Sequence, residues 1–257
     1  MNILCIGDVI GSAGIAFLHR HLPSLKRLKS VDVVIANGEN SADTNGITPE
    51  SADALLRCGV DLLTTGNHSF QRKESYSLYE NPNIPVIRPA NYPDKAPGTG
   101  SYLVDLGRWR VRVINMMGTV GMNPVLDCPF DTADALLRET DEKIVIVDMH
   151  AEATAEKRAI AAWLDGRVSA VFGTHTHVQT ADEQILPGGT GFITDVGMTG
   201  PIHSVIGVSV EAAIEKMRTK MPVRLVYADG PCMLNAVLFS IDEKTGRTLD
   251  VERINIR

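Results

Sequence analysis

No stretch of this chain reaches the ~18 consecutive apolar residues that a membrane-spanning helix needs, so no crossing segment is expected. The start, "MNILCIGDVIG", is apolar but short, has no basic lead-in and carries Asp8 in its middle. It does not read as a signal peptide. Cysteine is scarce: Cys5, Cys58, Cys128 and Cys232 are scattered, with no CxxC pair. That pattern excludes a zinc knuckle and a disulfide framework, and marks the four as small core residues of a reduced, cytoplasmic protein. Basic runs and basic-aromatic stripes are missing too, and the net charge is −6. A stable complex with a long nucleic acid, gripped through its phosphates, is therefore not expected. No linker, low-complexity tract or internal repeat interrupts the chain, so residues 1–257 read as one domain.

What the chain does have is an ordinary soluble composition, 44% apolar and 22% charged, arranged in alternation. "NILCIG", "VDVVIAN", "VDLLTTG", "IPVIRPAN", "IVIVDMH", "VSAVFGTH" and "GFITDVG" read as buried strands closed by Gly, Asn or His. Helices lie between several of them. One starts at Thr48 with Pro49 in its first position and stops near Gly59; another runs from Thr154 to Leu164 and stops at Gly166. "SYLVDLGRWRVRVINMMG" reads as a hairpin turning at Leu106–Arg108. The last third adds "VRLVYAD", "CMLNAVLFSID" and "TLDVERINI", the final two joined by "EKTG". The pattern predicts an α/β protein with two packed sheets flanked by helices, a four-layered sandwich.

Chemistry collects at the strand ends, where open α/β sheets place their sites. In chain order these ends carry Asp8, then Glu39 with Asn40, Asn67 with His68, His150, and finally His175 with His177. In an extended segment the last two, at i and i+2, would point to one side. Gly7, Gly38 and Gly66 precede the polar residues of three turns, allowing positive φ or close backbone approach. Singly, each residue has a blander use: Asp8 as a cap, Glu39, Asn40 and Asn67 in solvated turns, His68 and His150 as packed histidines. Jointly, oxygen and imidazole donors at five successive ends suit two divalent transition ions better than magnesium or calcium.

"GDVIG", "GENS", "GNHSF", "DMH" and "GTHTH", in that order, resemble the five blocks of the calcineurin-like metallophosphoesterases, in their YmdB-like bacterial branch. The likeness spans nearly the whole chain, including the "DVGMTGP" loop, Asp195–Pro201, which the family keeps near its site. The resemblance implies the αββα sandwich, with two mixed sheets flanked by helices. It also implies that Glu39 bridges two metals, with Asp8, Asn40 and His177 completing one site and Asn67, His150 and His175 the other. Mainstream members have a histidine where this chain has Ile10 and an aspartate at Glu39; in the resembled branch the amide at Asn40 replaces the missing imidazole. Two such ions sit about 3.5–4 Å apart, supply a bridging hydroxide and clamp the phosphoryl oxygens during in-line attack. Iron or manganese is expected first, with zinc tolerated. Next to ligand Asn67, His68 is the candidate general acid. The implied activity is a phosphodiesterase acting on cyclic nucleotides, 2′,3′-cyclic and also 3′,5′-cyclic, with a small cyclic-nucleotide or phosphodiester molecule as its partner. Small metallohydrolases often pair, so a homo-oligomer is compatible with the chain.

The same metal site could serve a phosphomonoesterase or nucleotidase, or a metal-containing nucleotide sensor that does not turn over. "GDVIGSAG" is not the dinucleotide turn GxGxxG, and Asp8 would repel a pyrophosphate. His19 and His21 read as surface or packing residues of the first helix, His203 as a loop residue, Met116 and Met117 as core, and Trp109 as packing.

Overall fold

A computed structural model describes residues 1–257. The chain opens with β1 (Asn2–Ile6), β2 (Asp8–Val9), α1 (Gly11–Leu28), β3 (Val33–Asn37), α2 (Pro49–Arg57) and β4 (Leu62–Thr64). Next come α3 (Tyr76–Glu80), β5 (Ser101–Asp105), β6 (Arg110–Met117), α4 (Pro129–Arg138), β7 (Ile144–His150), α5 (Thr154–Leu164) and β8 (Ala170–Thr174). It closes with β9 (Gln184–Ile185), β10 (Gly191–Ile193), β11 (Met198–Pro201), α6 (Val210–Thr219), β12 (Cys232–Ile241) and β13 (Thr248–Ile256). One sheet runs β2-β11-β12-β1-β3-β4, with β13 paired to β12; the other runs β5-β6-β7-β8-β10-β9. Both are mixed, since β1, β3 and β4 are parallel while β12 lies antiparallel to β1, and β5 and β9 are antiparallel edges on a parallel centre.

The layers follow from the period-2 geometry of a strand. Val33 and Ile35 of β3 face Ile144 and Ile146 of β7 and Phe172 of β8 in the cluster between the sheets. Val34 and Ala36 point the other way, onto Leu18 and Leu22 of α1 and Leu55 of α2. Val145, Val147 and Met149 likewise pack on Ile160 and Leu164 of α5. Each central strand is covered on both faces, which is why these runs are apolar throughout. The result is the expected αββα sandwich.

Local signals held where they were strongest. Thr48 caps α2 by accepting the Ser51 amide, and Pro49 begins it. Gly59 and Gly166 take positive φ after α2 and α5. Met116 and Met117 are fully buried, whereas His19 and His203 are exposed. Two expected strands are not formed. In "IPVIRPAN" only Val86 makes a bridge, to Leu63, because Pro85 and Pro89 remove ladder donors. "VRLVYAD" lies on the surface with one bridge, Tyr227 to Val208. Cys128 is exposed at the start of α4, unlike the other three cysteines, which are buried as expected. No helix is long and apolar enough to cross a membrane.

Candidate metal centre

Five strand ends converge. After β3, Gly38 leads to Glu39, whose side chain is fully buried. After β4, Gly66 lets the backbone pass against an imidazole: a Cβ there would lie 2.2 Å from His150 Nε2. At Gly7 a Cβ would lie 2.1 Å from the Gly197 carbonyl oxygen. Neither glycine has positive φ, so the requirement at these turns is space.

His175 and His177 reach the site differently from the expected extended pair. β8 ends at Thr174, and both histidines take left-handed backbone, φ 98° and 66°. Such conformations cost ~1–3 kcal/mol each and gather at functional sites. The turn sends the two rings to neighbouring halves of the centre. On one side His150 Nε2 lies 2.9 Å from Asn67 Oδ1, 3.0 Å from Glu39 Oε1 and 3.1 Å from His175 Nδ1. On the other, His177 Nε2 lies 3.5 Å from Asp8 Oδ1 and 3.3 Å from Asn40 Nδ2, which also faces Asp8 Oδ1 at 3.4 Å. Asn40 thus presents its nitrogen to the pair. The His175 amide ties the halves together by donating to Asp8 Oδ2, 3.1 Å.

Whether this cluster suits a cation can be read from its hydrogens. His177 Nδ1 donates to the Ile206 carbonyl, 2.8 Å, which leaves a lone pair on Nε2. Thr174 donates its hydroxyl to Asp148 Oδ1, 2.7 Å, so it accepts from His150 Nδ1 at 2.9 Å. The His150 Nε2 lone pair is thereby turned onto two oxygens and a second imidazole. Glu39 Oε1 is buried with no well-aligned donor; its neighbour at 3.0 Å is His150 Nε2, and burial, which would lower that imidazole, is outweighed by Glu39, which raises it. A buried carboxylate oxygen without a donor costs a desolvation penalty of ~1–3 kcal/mol or more. A cation among these lone pairs removes that penalty. Ligand atoms of Glu39, His150 and His175 lie within 4.8 Å of one another, a fit for a metal ion.

Titration reflects the same field. Burial would raise Asp8, but His177, His150 and the His175 amide hold it well below the usual carboxylate range. Burial would lower His177, yet Asp8 carries it up to about 9. His175 is pulled down to about 4 by burial and by the neighbouring His150. Burial pushes Asp148 to about 7 against the pull of His150 and the hydroxyls of Thr64 and Thr174; a bound cation would favour its ionised form. Protons and metal therefore compete for the same atoms.

Behind the candidate ligands stand two groups that the sequence does not announce. Asp148 and Thr174 sit in "DMH" and "GTHTH" themselves, yet only their histidines stood out. Partners of this kind fix ring orientation and tautomer. Thr174→Val should weaken metal affinity about 10–100-fold while Thr174→Ser retains it. A competition titration against a chromogenic chelator measures this, and equal affinity in both variants would remove Thr174 from the role.

His68 stands outside the ligand cluster. Its amide donates to Glu39 Oε2, 2.9 Å, and its ring faces a cleft of about 470 Å³ beside Asn45. Asn45 Nδ2 is 3.2 and 3.3 Å from the two ring nitrogens, so the amide lies over the ring face. Glu39, Asn40, His175 and His177 line the same cleft. A larger cavity of about 890 Å³ between α1 and α2 is lined by none of the candidate residues.

Comparison with known proteins gives consistent results. A family model described as YmdB-like protein matches residues 4–254. The 2′,3′-cyclic-nucleotide 2′-phosphodiesterase of Bacillus subtilis (strain 168) is 43% identical over 259 residues, covering 100% of this chain and 97% of that one. A crystal structure of a hypothetical protein from Thermus thermophilus superposes with a TM-score of 0.94 at 42% identity, covering 100% of this chain and 99% of the other. A phosphatase structure from Mycoplasma pneumoniae gives 0.93 at 33% identity, covering 100% and 93%.

Proposed function

The chain belongs to the YmdB-like family, and from that premise we propose that it is a metal-dependent phosphodiesterase that hydrolyses cyclic nucleotides, 2′,3′-cyclic ones first. The observation that supports this most is Glu39 Oε1, buried without an aligned donor 3.0 Å from His150 Nε2, which itself lies 2.9 Å from Asn67 Oδ1 and 3.1 Å from His175 Nδ1. In this reading Glu39, Asn67, His150 and His175 would hold one ion, and Glu39, Asp8, His177 and Asn40 a second, Asn40 through Oδ1 after its amide turns over from the orientation that points Nδ2 at Asp8 and His177. Iron or manganese suits these oxygen and nitrogen donors. When bound, such ions bring the pKa of water toward neutrality and neutralise charge on phosphoryl oxygens.

The chain's own groups do the rest. Burial of Asp8, Glu39 and His150 excludes bulk water from the floor of the cleft, which strengthens every charge interaction there. His68, outside the ligand set but tethered to Glu39 through its amide, accepts from Asn67 Nδ2 at Nε2 and so holds on Nδ1 the proton that the leaving sugar oxygen takes up as the P–O bond breaks. Asn45 over its ring and Asn67 Nδ2, 3.2 Å from its Nε2, fix the imidazole in the cleft.

Elemental analysis followed by a substrate panel tests the reading. Stripped and manganese-reloaded protein is assayed on a chromogenic diester, on 2′,3′- and 3′,5′-cyclic nucleotides, and on a monoester. Metal-dependent turnover of cyclic nucleotides above the monoester is expected. Protein that holds only a trace of metal, or cleaves the monoester alone, would overturn it. His68→Ala should lower kcat about 10²–10⁴-fold with metal content unchanged. Loss of metal in that variant would make His68 a ligand instead of an acid.

A further inference from the structure

Between β11 and β12 the chain leaves the sheet for some thirty residues, roughly 202–231, carrying α6 on the way. Two pieces of this excursion are bound to each other. Val205 and Val208 exchange backbone hydrogen bonds of 2.8 and 3.0 Å across a turn in which Ile206 and Gly207 have left-handed φ. The Ser209 amide donates to Val226 and the Ala228 amide to Gly207, each at 2.9 Å, which straps the 226–228 stretch to the turn. At Gly207 a Cβ would lie 2.9 Å from Ile10 Cγ2, so the unit sits down on the chain just past Asp8. Its contact with the centre is the Ile206 carbonyl, which accepts from His177 Nδ1.

This unit forms a flank of the cleft that His68 also lines. Ile206, Val208, Leu225 and the ring of Tyr227 line it, and no charged side chain does. Ile206 is 49% exposed, apolar surface that no part of the protein covers. A cleft of about 470 Å³ is far larger than a phosphate group needs and lies within the range of small-molecule sites, ~300–1,000 Å³. Its two sides therefore ask for a ligand of two characters: an anionic group at the histidines and a flat, largely apolar body at the flank.

We propose that Ile206, Val208, Leu225 and Tyr227 form the subsite for the nucleobase of the substrate. The proposal rests on the cyclic-nucleotide reading and extends it. Contact is through ring faces and methyl groups, which every base offers, so purine and pyrimidine substrates are both accepted, purines better for their larger face.

The test compares adenosine 2′,3′-cyclic phosphate with ribose 2′,3′-cyclic phosphate that carries no base. In the manganese-loaded native protein the nucleotide should show the lower KM, by about tenfold, and Leu225→Ala or Val208→Ala should shrink that ratio toward one. A second readout needs no turnover. In methyl-labelled protein, bound adenosine monophosphate should give nuclear Overhauser contacts from its base protons to the Ile206, Val208 and Leu225 methyls. If neither cyclic phosphate is cleaved, the cyclic-nucleotide reading fails. If both are cleaved with equal KM, or the base protons touch no methyl of the flank, the reading stands and the subsite falls.

Discussion

Glu39→Gln is expected to abolish metal retention, to lower phosphodiesterase activity at least a hundredfold, and yet to make the metal-free protein more stable. Both signs come from one atom. Glu39 Oε2 accepts the His68 amide and keeps that bond as a glutamine oxygen, while Oε1 has no aligned donor and faces His150 Nε2 at 3.0 Å, with His175 beside it. An amide nitrogen in its place donates to those lone pairs and relieves a penalty of ~1–3 kcal/mol. For a chain of 257 residues each kcal/mol moves the melting temperature by about 2–4 °C, so a rise of a few degrees is expected without metal. Metal then gains nothing: the anionic ligand is gone and the lone pairs are spent. Groups behind a ligand are worth about 10–100-fold, and the ligand itself should exceed that. Calorimetry with and without manganese, beside elemental analysis, reads both effects. A Glu39→Gln protein that binds manganese with native affinity would show that this carboxylate holds no ion, and the centre would have to be rebuilt around Asp8.

Why the candidate ligands are legible and their supports are not has a physical reason. A strand covered on both faces needs an unbroken apolar run, so "VVIAN" and "IVIVDMH" announce themselves, and a polar residue closing such a run is conspicuous. Asp8, Glu39, Asn67 and His150 stood out for that reason. Asp148 and Thr174 lie inside or at the edge of the same runs and look like lapses in them; their purpose exists only across strands, β7 to β8, through the bond between them. The pair at His175 and His177 was visible as a spacing, but the extended geometry assumed for it was wrong, because a residue's φ is set by the turn it must make around Asp8. "VRLVYAD" has the composition of a strand yet finds no sheet edge: it is strapped to the Val205–Val208 turn instead, a tertiary choice that local pattern does not encode. Pro85 and Pro89, by contrast, were in plain view and argued against a strand at 84–91.

Lys157→Met should be the most destabilising of the substitutions considered, at about 3–5 kcal/mol. Lys157 is fully buried on α5 and its Nζ lies 2.6 Å from Asp195 Oδ2, itself fully buried. Asp195 also accepts the Thr176 amide at 3.2 Å and the Gly197 amide at 2.8 Å, while the Gly197 carbonyl accepts the Asp8 amide at 3.1 Å. The lysine thus neutralises the one carboxylate that holds the turn between His175 and His177 and the segment behind Asp8. Burial pushes the Asp195 carboxyl up and Lys157 pulls it back. Without the lysine the folded pKa stands further above the unfolded value, the folded state binds the extra proton, and stability falls as pH rises through that interval. Urea unfolding of the variant should therefore show its largest loss at neutral pH and a smaller one toward pH 4. Adding Asp195→Asn should recover most of the loss, because removing both charges leaves no uncompensated ion. A double variant no more stable than Lys157→Met would mean that the loss does not come from an uncompensated charge on Asp195.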